Sequence, residues 1–231
     1  MVIAMFLAHL LGDFVLQWDG LAHWKSHDIK GVFVHCLILS AVTAAFALSI
    51  DPSWWSGILL ISISHLIIDS YWVLKNYSIS PLTRVLIDQT IHIFIILLAL
   101  VMTGYLQWSN LWGGIVANAQ ANPLLTGLLG YTFLTMPAWV MLKFLIFGIM
   151  KGRPPNFSVG LGKYMSIGER LIVMTLVLFG QALFLPLVAL PRLVLDRRQI
   201  GEADQDVYLV ELVSSVALAI GVGLLIRSLV L

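Results

Sequence analysis

The chain has 231 residues, of which 60% are hydrophobic and 11% are charged, and its formal net charge is +1. A soluble globular domain carries about 25% charged residues, so this composition is typical of a polytopic membrane protein. The near-neutral charge argues against a nucleic-acid-binding surface, and the single cysteine, Cys36, excludes an intrachain disulfide. We therefore expect an all-α transmembrane helical bundle with the lipid bilayer, and no nucleic acid, as its partner.

Seven apolar stretches come close to the length of about 20 residues that a transmembrane helix requires. Pro81 is a favourable first-turn residue, and Pro186 predicts a kink. The seven predicted helices cover residues 2–17, 29–50, 53–74, 81–108, 123–150, 166–190 and 206–231. The intervening residues 109–122 and 151–165 are predicted to be loops. We expect residues 1–108 to form one bundle and residues 109–231 a supporting half.

The basic residues predict the orientation of the chain, because cytoplasmic loops carry an excess of lysine and arginine. They follow predicted helices 1, 3 and 5, although Arg192, Arg197 and Arg198 after helix 6 break this alternation. We expect a bacterial inner-membrane protein with its N-terminus outside and its C-terminus in the cytoplasm. An aromatic belt is expected at the outer interface, formed by Trp54, Trp55, Trp108 and Trp112. The basic residues that set this orientation are Lys25, Lys30, Lys75, Arg84, Lys151, Arg153, Lys163 and Arg170.

Three histidine–aspartate pairs interrupt the apolar helices. They are His9-Leu-Leu-Gly-Asp13, His65-Leu-Ile-Ile-Asp69 and, reversed, Asp88-Gln-Thr-Ile-His92. Side chains four residues apart share one face of a helix, so each pair can point at one site. The predicted topology places all three pairs, together with His35, in the inner half of the membrane. Four segments are therefore expected to deliver ionisable residues to one depth.

The energetics of these residues favour a bound cation. An unpaired aspartate in mid-membrane costs about 2.5–3.5 kcal/mol, so three would cost on the order of 8–10 kcal/mol. We expect no lysine or arginine at that depth. Imidazole and carboxylate groups bind zinc, which is the first choice here, or manganese or iron. The seven candidate ligands, sufficient for one or two ions, are His9, Asp13, His35, His65, Asp69, Asp88 and His92.

Two metal ions a few ångströms apart stabilise the attacking and leaving oxygens of a phosphoester displacement. The sequence thus predicts an integral membrane metal-dependent hydrolase that cleaves a phosphoester of a lipid or lipid-linked substrate at the cytoplasmic side. The catalytic residues would be Asp13, Asp69 and Asp88. Supporting groups around the ligands would be Gln17, Ser62 and Gln89. An anionic headgroup would be bound at the inner mouth by Lys25, Lys75 and Arg84.

Other functions fit part of the same pattern. Intramembrane histidines and aspartates also form proton relays and ion pathways, but a transporter usually has broken helices or internal repeats, and the sequence has neither clearly. A haem-binding electron carrier needs facing histidines, and the adjacent aspartates argue against it. The simplest alternative is that these residues form interhelical hydrogen bonds. A homo-oligomer is compatible with all of these functions.

The string from His9 to Gln17, with Lys25, His35, His65-xxx-Asp69 and Asp88-Gln-xx-His92, resembles a bacterial inner-membrane family of unknown function over roughly the first 100 residues. That family is similar to the membrane-bound, LexA-regulated metal-dependent hydrolases and, more remotely, to the zinc-dependent phospholipase C and single-strand nuclease superfamily. The resemblance implies metal ligation by the paired residues and, on the level of fold, phosphoester hydrolysis.

The C-terminal half also resembles longer members of that family. The matching residues are Gly162-Lys163-Tyr164 and Ile167-Gly168-Glu169-Arg170. Glu169 is expected either to reach the site or to act locally at a helix N-terminus, where an acidic side chain is favourable.

Overall fold

All of the regular structure among the described residues is helical, as the sequence predicts. The computed structural model describes residues 1–75, 79–150, 161–188 and 205–230. The principal helices are α1 (Val2–Leu10), α2 (Asp19–Lys25), α3 (Ile29–Ile50), α4 (Trp55–Leu74), α5 (Pro81–Met102), α6 (Leu111–Ala121), α7 (Pro123–Leu134), α8 (Met136–Met150), α9 (Leu161–Leu178) and α10 (Gln205–Val230).

The described residues contain fewer candidate membrane spans than the predicted seven. Within the described ranges, α3, α4, α5 and α10 are each long and apolar enough to cross a membrane. Two bent helix pairs could add one span each, giving up to six: the segment 2–25, which bends by 89°, and the pair α7–α8, which bends by 41°. The prediction of seven spans was therefore too high.

Three predicted boundaries also need correction. Residues 111–121, predicted to be a loop, form α6, and the predicted helix 123–150 is two helices that meet at Thr135. α9 begins at Leu161 and ends at Leu178, whereas the prediction placed this helix at 166–190. Because α9 has already ended and a new helical stretch begins at residue 185, Pro186 lies in a first helical turn and does not kink one long helix. The remainder of the predicted second loop, 151–160, lies outside the described residues.

The helices form two compact units, and the first contains the three histidine–aspartate pairs. It comprises residues 1–79 and 83–132, so residues 109–132 group with this unit and not with the predicted C-terminal half. Its core lies among α1, α3, α4 and α5, and includes Met5, Leu39 and Ile96. α6 packs against α1, and the backbone N–H of Ile3 donates to the Asn118 side chain at 3.1 Å.

The outward faces of the first unit are apolar, as expected for contact with lipid. In α4 the exposed side chains recur about every four residues, whereas Ile61, His65 and Asp69 on the opposite face are buried. The exposed set is Trp55, Leu59, Ile63, Ile67, Tyr71 and Leu74. A helix with a polar buried face and an apolar exposed face is the reverse of a soluble amphipathic helix, which supports membrane insertion.

A tight turn joins α3 to α4. The Asp51 side chain accepts hydrogen bonds from the backbone and hydroxyl of Ser53, at 2.9 and 2.6 Å, and from the Tyr105 hydroxyl at 2.8 Å. These bonds hold the pKa of Asp51 below its ordinary value. Trp54, predicted to lie in an interfacial belt, is instead buried, because Gly57 leaves space for its indole ring.

The second unit comprises residues 80–82 and 133–231, of which the described part contains α8, α9 and α10 packed against one another. Leu142 and Ile146 of α8 pack with Val207 of α10. α9 and α10 cross closely at Gly223, where a Cβ atom would lie 2.9 Å from the Val177 side chain.

Candidate metal centre

Asp13 lies on an irregular segment of the first helix. α1 gives way to a single π-helical stretch at Leu11–Val15, and the chain then turns by 89° into α2. Short π-helical segments are rare in proteins, and many of those that occur lie at functional sites. Gly12 lets this segment approach α3, because a Cβ atom there would lie only 3.0 Å from the Leu39 Cα. The side chain of Asp13 is thereby buried beside α3.

The short helix α2 brings Lys25 to the same place. Gly31 of α3 allows this contact, because a Cβ atom at that position would lie 2.6 Å from the Lys25 backbone nitrogen. Asp28 caps the N-terminus of α3 by accepting from the Lys30 backbone N–H at 2.8 Å and from the Trp24 indole at 3.3 Å. The same bonds lower the pKa of Asp28. The Asp28 side chain therefore links the last turn of α2 to the first turn of α3.

Two histidines and two aspartates converge at the centre of the first unit. The His35 Nε2 and His65 Nε2 atoms are 3.2 Å apart. His35 Nε2 lies 3.1 Å from an Asp13 oxygen and 3.6 Å from an Asp69 oxygen. His65 Nε2 lies 3.9 and 3.5 Å from the same two oxygens. Donors of a tetrahedral zinc ion are separated by about 3.3–3.6 Å. Asp13, His35 and His65 have ligand atoms close enough to one another to bind one ion, and an Asp69 oxygen lies beside both histidines.

Asp69 connects this set to a second one. Its Oδ2 faces His35 and His65, whereas its Oδ1 lies 3.7 Å from His92 Nε2. His92 Nδ1 is in turn 3.7 Å from the Asp88 carboxylate. Asp69, Asp88 and His92 have ligand atoms close enough to bind one ion. The two carboxylate oxygens of Asp69 therefore face two different groups of donors.

Gln89 joins the remaining members of the cluster. Its amide nitrogen donates to Asp13 at 2.8 Å and to Asp88 at 3.1 Å, and its carbonyl oxygen lies 3.3 Å from His9 Nε2. The His9 ring is 5.6 Å from that of His92, centroid to centroid. The structure thus brings together all seven predicted ligands and Gln89.

One expectation is wrong: a basic residue does lie at this depth. The Lys25 ammonium is 3.4 Å from Asp13, 3.3 Å from Asp69 and 3.2 Å from His35 Nε2. It therefore compensates part of the negative charge that was expected to require a bound cation. Three carboxylates and one ammonium still leave an excess of negative charge when the histidines are neutral. The prediction failed because Lys25 was placed in the loop that follows a helix over residues 2–17, whereas the 89° bend returns the chain to the cluster.

The other predicted site residues are placed differently. Lys75 is exposed at the end of α4. The Arg84 guanidinium donates to the Trp72 carbonyl at 3.2 Å and lies over the Trp72 ring. Gln17 and Ser62 each have a buried side-chain oxygen without a hydrogen-bond partner among the described residues. None of these four residues has a described bond to the cluster.

Cys36 is the residue that sequence reasoning passed over. It follows His35 on α3, is buried, and has its sulfur close enough to ligand atoms of His65 and Asp69 to share an ion with them. A neighbouring histidine was the available signal, but a single cysteine in an apolar helix ordinarily packs as a small hydrophobic residue.

Glu169 and Arg170 belong to the second unit. The buried Arg170 guanidinium donates to the carbonyls of Leu134 and Thr135, at 2.8 and 3.4 Å, and to the hydroxyls of Ser166 and Ser215, at 2.9 and 3.0 Å. It therefore satisfies carbonyls left by the break between α7 and α8. Arg170 and Lys163 are buried in α9, so the count of loop charges that set the predicted orientation must omit them.

Comparison with known proteins assigns no activity to this cluster. No curated protein and no solved structure matches the chain. Residues 1–115, which include every predicted metal ligand, match the family described as a protein of unknown function, DUF3307.

Proposed function

We propose that this protein is an integral membrane metal-dependent hydrolase that cleaves a phosphoester of a lipid or lipid-linked substrate. The observation that carries the proposal is the convergence of His35 and His65 on oxygens of Asp13 and Asp69, at 3.1–3.9 Å, inside an apolar helical bundle. Zinc is the preferred ion, because imidazole and carboxylate donors at this spacing suit its tetrahedral coordination.

A second ion is proposed between Asp69, Asp88 and His92. Asp69 would then be a ligand shared by the two groups of donors, since its two oxygens face one group each. When bound, such ions polarise an ester and increase the acidity of water. The chain itself supplies the negative charge that retains the ions, the apolar walls that limit access of water, and the Gln89 amide that fixes Asp13 and Asp88.

The proposed substrate class follows from the surroundings of the cluster. The bundle presents apolar side chains outward, so a substrate with acyl chains can reach it within the bilayer. Lys75 and Arg84 lie at the end of α4 and the start of α5, where we propose that they attract an anionic headgroup. We call the region of Lys75 and Arg84 the proposed entrance. The predicted inner-membrane location and the cytoplasmic side of this entrance belong to the same proposal.

A second candidate is a proton or metal-ion pathway. It is favoured by the 89° bend and the π-helical stretch at Asp13, because transporters often place broken helices at their ion sites. The linked groups Lys25, Asp13, Asp69 and His35 could also relay a proton. Flux measurements in liposomes and hydrolase assays on phospholipids would distinguish the two functions.

The first experiment is elemental analysis of the purified protein in detergent. Wild-type protein should carry zinc, manganese or iron in near-stoichiometric amount, and Asp69→Asn should lose most of it because both groups of donors share Asp69. Asp51→Asn is the matched control, since Asp51 lies in the α3–α4 turn. Metal-free wild-type protein that also fails to bind added zinc would contradict the proposal.

A further inference from the structure

The position of Lys25 raises a question about how an ion would enter the cluster. Its ammonium contacts Asp13 Oδ1, Asp69 Oδ2 and His35 Nε2. These are the same atoms that, with His65 Nε2, form the group proposed to bind the first ion. The lysine and the ion would thus compete for shared acceptor atoms.

The competition is strongest at His35. A neutral imidazole has one acceptor nitrogen with a single lone pair. His35 Nε2 can accept a hydrogen bond from the Lys25 ammonium at 3.2 Å or bind a metal ion, but it cannot do both. Because His35 is fully buried, water cannot replace either interaction at its Nε2 atom.

The charges favour the same conclusion. A divalent ion bonded to Asp13 and Asp69 would lie directly beside the ammonium, and two cations repel strongly where little water screens them. Without an ion, in contrast, the ammonium offsets the repulsion between the two carboxylates. Lys25 therefore stabilises the pair Asp13 and Asp69 only while no ion is bound between them.

The lysine is also placed so that it can leave. The Lys25 side chain is 22% exposed, whereas Asp13 and Asp69 are 5% and 7% exposed. α2 is a seven-residue helix at the end of a bent segment. The flexible side chain of Lys25 can carry its ammonium toward the protein surface while the Lys25 backbone stays packed against Gly31.

We propose that Lys25 is a resident counter-ion that the first metal ion displaces, so that loading of the site releases the ammonium to the entrance. This inference rests on the proposed metal site. The released ammonium would then be available to an anionic group of the substrate, so a substrate-binding lysine would be presented only by the metal-loaded protein.

The first test measures zinc affinity in detergent, by competition with a chromophoric chelator, for wild type, Lys25→Met and Lys30→Met. Lys25→Met should bind zinc about tenfold or more tightly, because no ammonium has to be displaced from the acceptor atoms before the ion binds. Lys30→Met should match wild type, since Lys30 is exposed on α3. Equal or weaker binding by Lys25→Met would overturn the inference and leave the metal site standing.

The second test uses the unmodified chain. An amine-reactive reagent is applied with and without zinc, and labelling of the Lys25 peptide is read by mass spectrometry. Zinc should increase this labelling several-fold and leave that of Lys30 unchanged. Unchanged or reduced labelling of Lys25 in zinc-loaded protein would contradict displacement. If no variant binds zinc at all, the metal site itself fails, and the inference fails with it.

Discussion

Gln89 has a defined orientation because of the groups around it. An ionised carboxylate accepts hydrogen bonds but cannot donate them. The Gln89 amide nitrogen must therefore face Asp13 and Asp88, and its carbonyl oxygen faces His9. His9 Nε2 must therefore carry the proton in that contact. Gln89 thus fixes two carboxylates and one imidazole tautomer, which is the function of groups that surround metal ligands.

Gln89→Met keeps the length of the side chain but removes these bonds. We expect zinc affinity to fall about 10–100-fold, as is usual when a supporting group of a metal site is lost. Chelator competition measures the change. Gln120→Met, on the exposed face of α6, is the control and should bind zinc as wild type does. Wild-type affinity in Gln89→Met would mean that Gln89 only fills space.

Single residues also mark what could be read from the sequence. The four-residue spacing of each histidine–aspartate pair was sufficient to predict that its two side chains share one helix face. The predicted topology then placed the three pairs at one depth. The role of Lys25 could not be read, because it depends on a bend of the backbone. Gln17 was assigned to the cluster by extending a helical face that the π-helical stretch interrupts.

At the scale of helices, Gly31 determines how closely α2 can approach α3. A methyl group on this residue would lie 2.6 Å from backbone atoms of both Trp24 and Lys25, and backbone cannot rotate away. The contact allows Lys25 to reach the cluster. Its loss should therefore affect both stability and the cluster.

We expect Gly31→Ala to destabilise the protein by about 1–3 kcal/mol, as overpacking commonly does. Unfolding in detergent, followed by circular dichroism, measures the effect. Gly127→Ala is the control, because no atom lies within 4 Å of the position that its Cβ would occupy and alanine favours a helix. If both variants unfolded alike, the close α2–α3 contact would not contribute to stability.

Arg170 has the corresponding role in the second unit. It joins the break between α7 and α8 to α9 and α10 through four hydrogen bonds. Arg170→Met should cost about 3 kcal/mol or more, because each bond from a charged donor contributes about 1.5–3 kcal/mol and buried carbonyls lose their partner.

Arg227→Met provides the comparison for this change. Arg227 is more exposed, and its described hydrogen bond is to the Val177 carbonyl at 3.2 Å. We expect a loss of roughly 1 kcal/mol or less for this variant. Equal losses for the two variants in the same unfolding assay would show that Arg170 does not hold the four segments together.

Helix boundaries illustrate why part of the fold escaped prediction. Hydropathy identified α3, α4 and α10 to within two residues, because each is a continuous apolar run, but it placed the end of α5 at residue 108, whereas the helix ends at Met102. It merged α7 with α8, because Thr135 and Pro137 lie among apolar residues that keep the whole run hydrophobic. It also missed α6, whose alanines and asparagines carry little apolar signal but pack against α1. Tertiary contacts, not composition, decide these short elements.

At the scale of the whole molecule, orientation depends on fewer charges than the sequence implied. Lys163 and Arg170 are buried in α9, and Lys25 is half-buried in the cluster, so none of the three marks a loop. Lys30, Lys75 and Arg84 remain at helix ends in the first unit. They lie at the end of the bundle opposite to the α3–α4 turn, so within the described part of the first unit the predicted orientation rests on these three residues. Lys151 and Arg153, which also support it, lie outside the described residues.

Cysteine labelling in intact cells tests this orientation. In a Cys36→Ser background, Ser109→Cys after α5 and Lys75→Cys after α4 both place a thiol at an exposed position. A membrane-impermeant maleimide should label Ser109→Cys directly and Lys75→Cys only after permeabilisation. The reverse pattern would place the proposed entrance outside the cell, where a substrate of the outer leaflet would be required. Equal labelling of both positions in intact cells would contradict a membrane-spanning first unit.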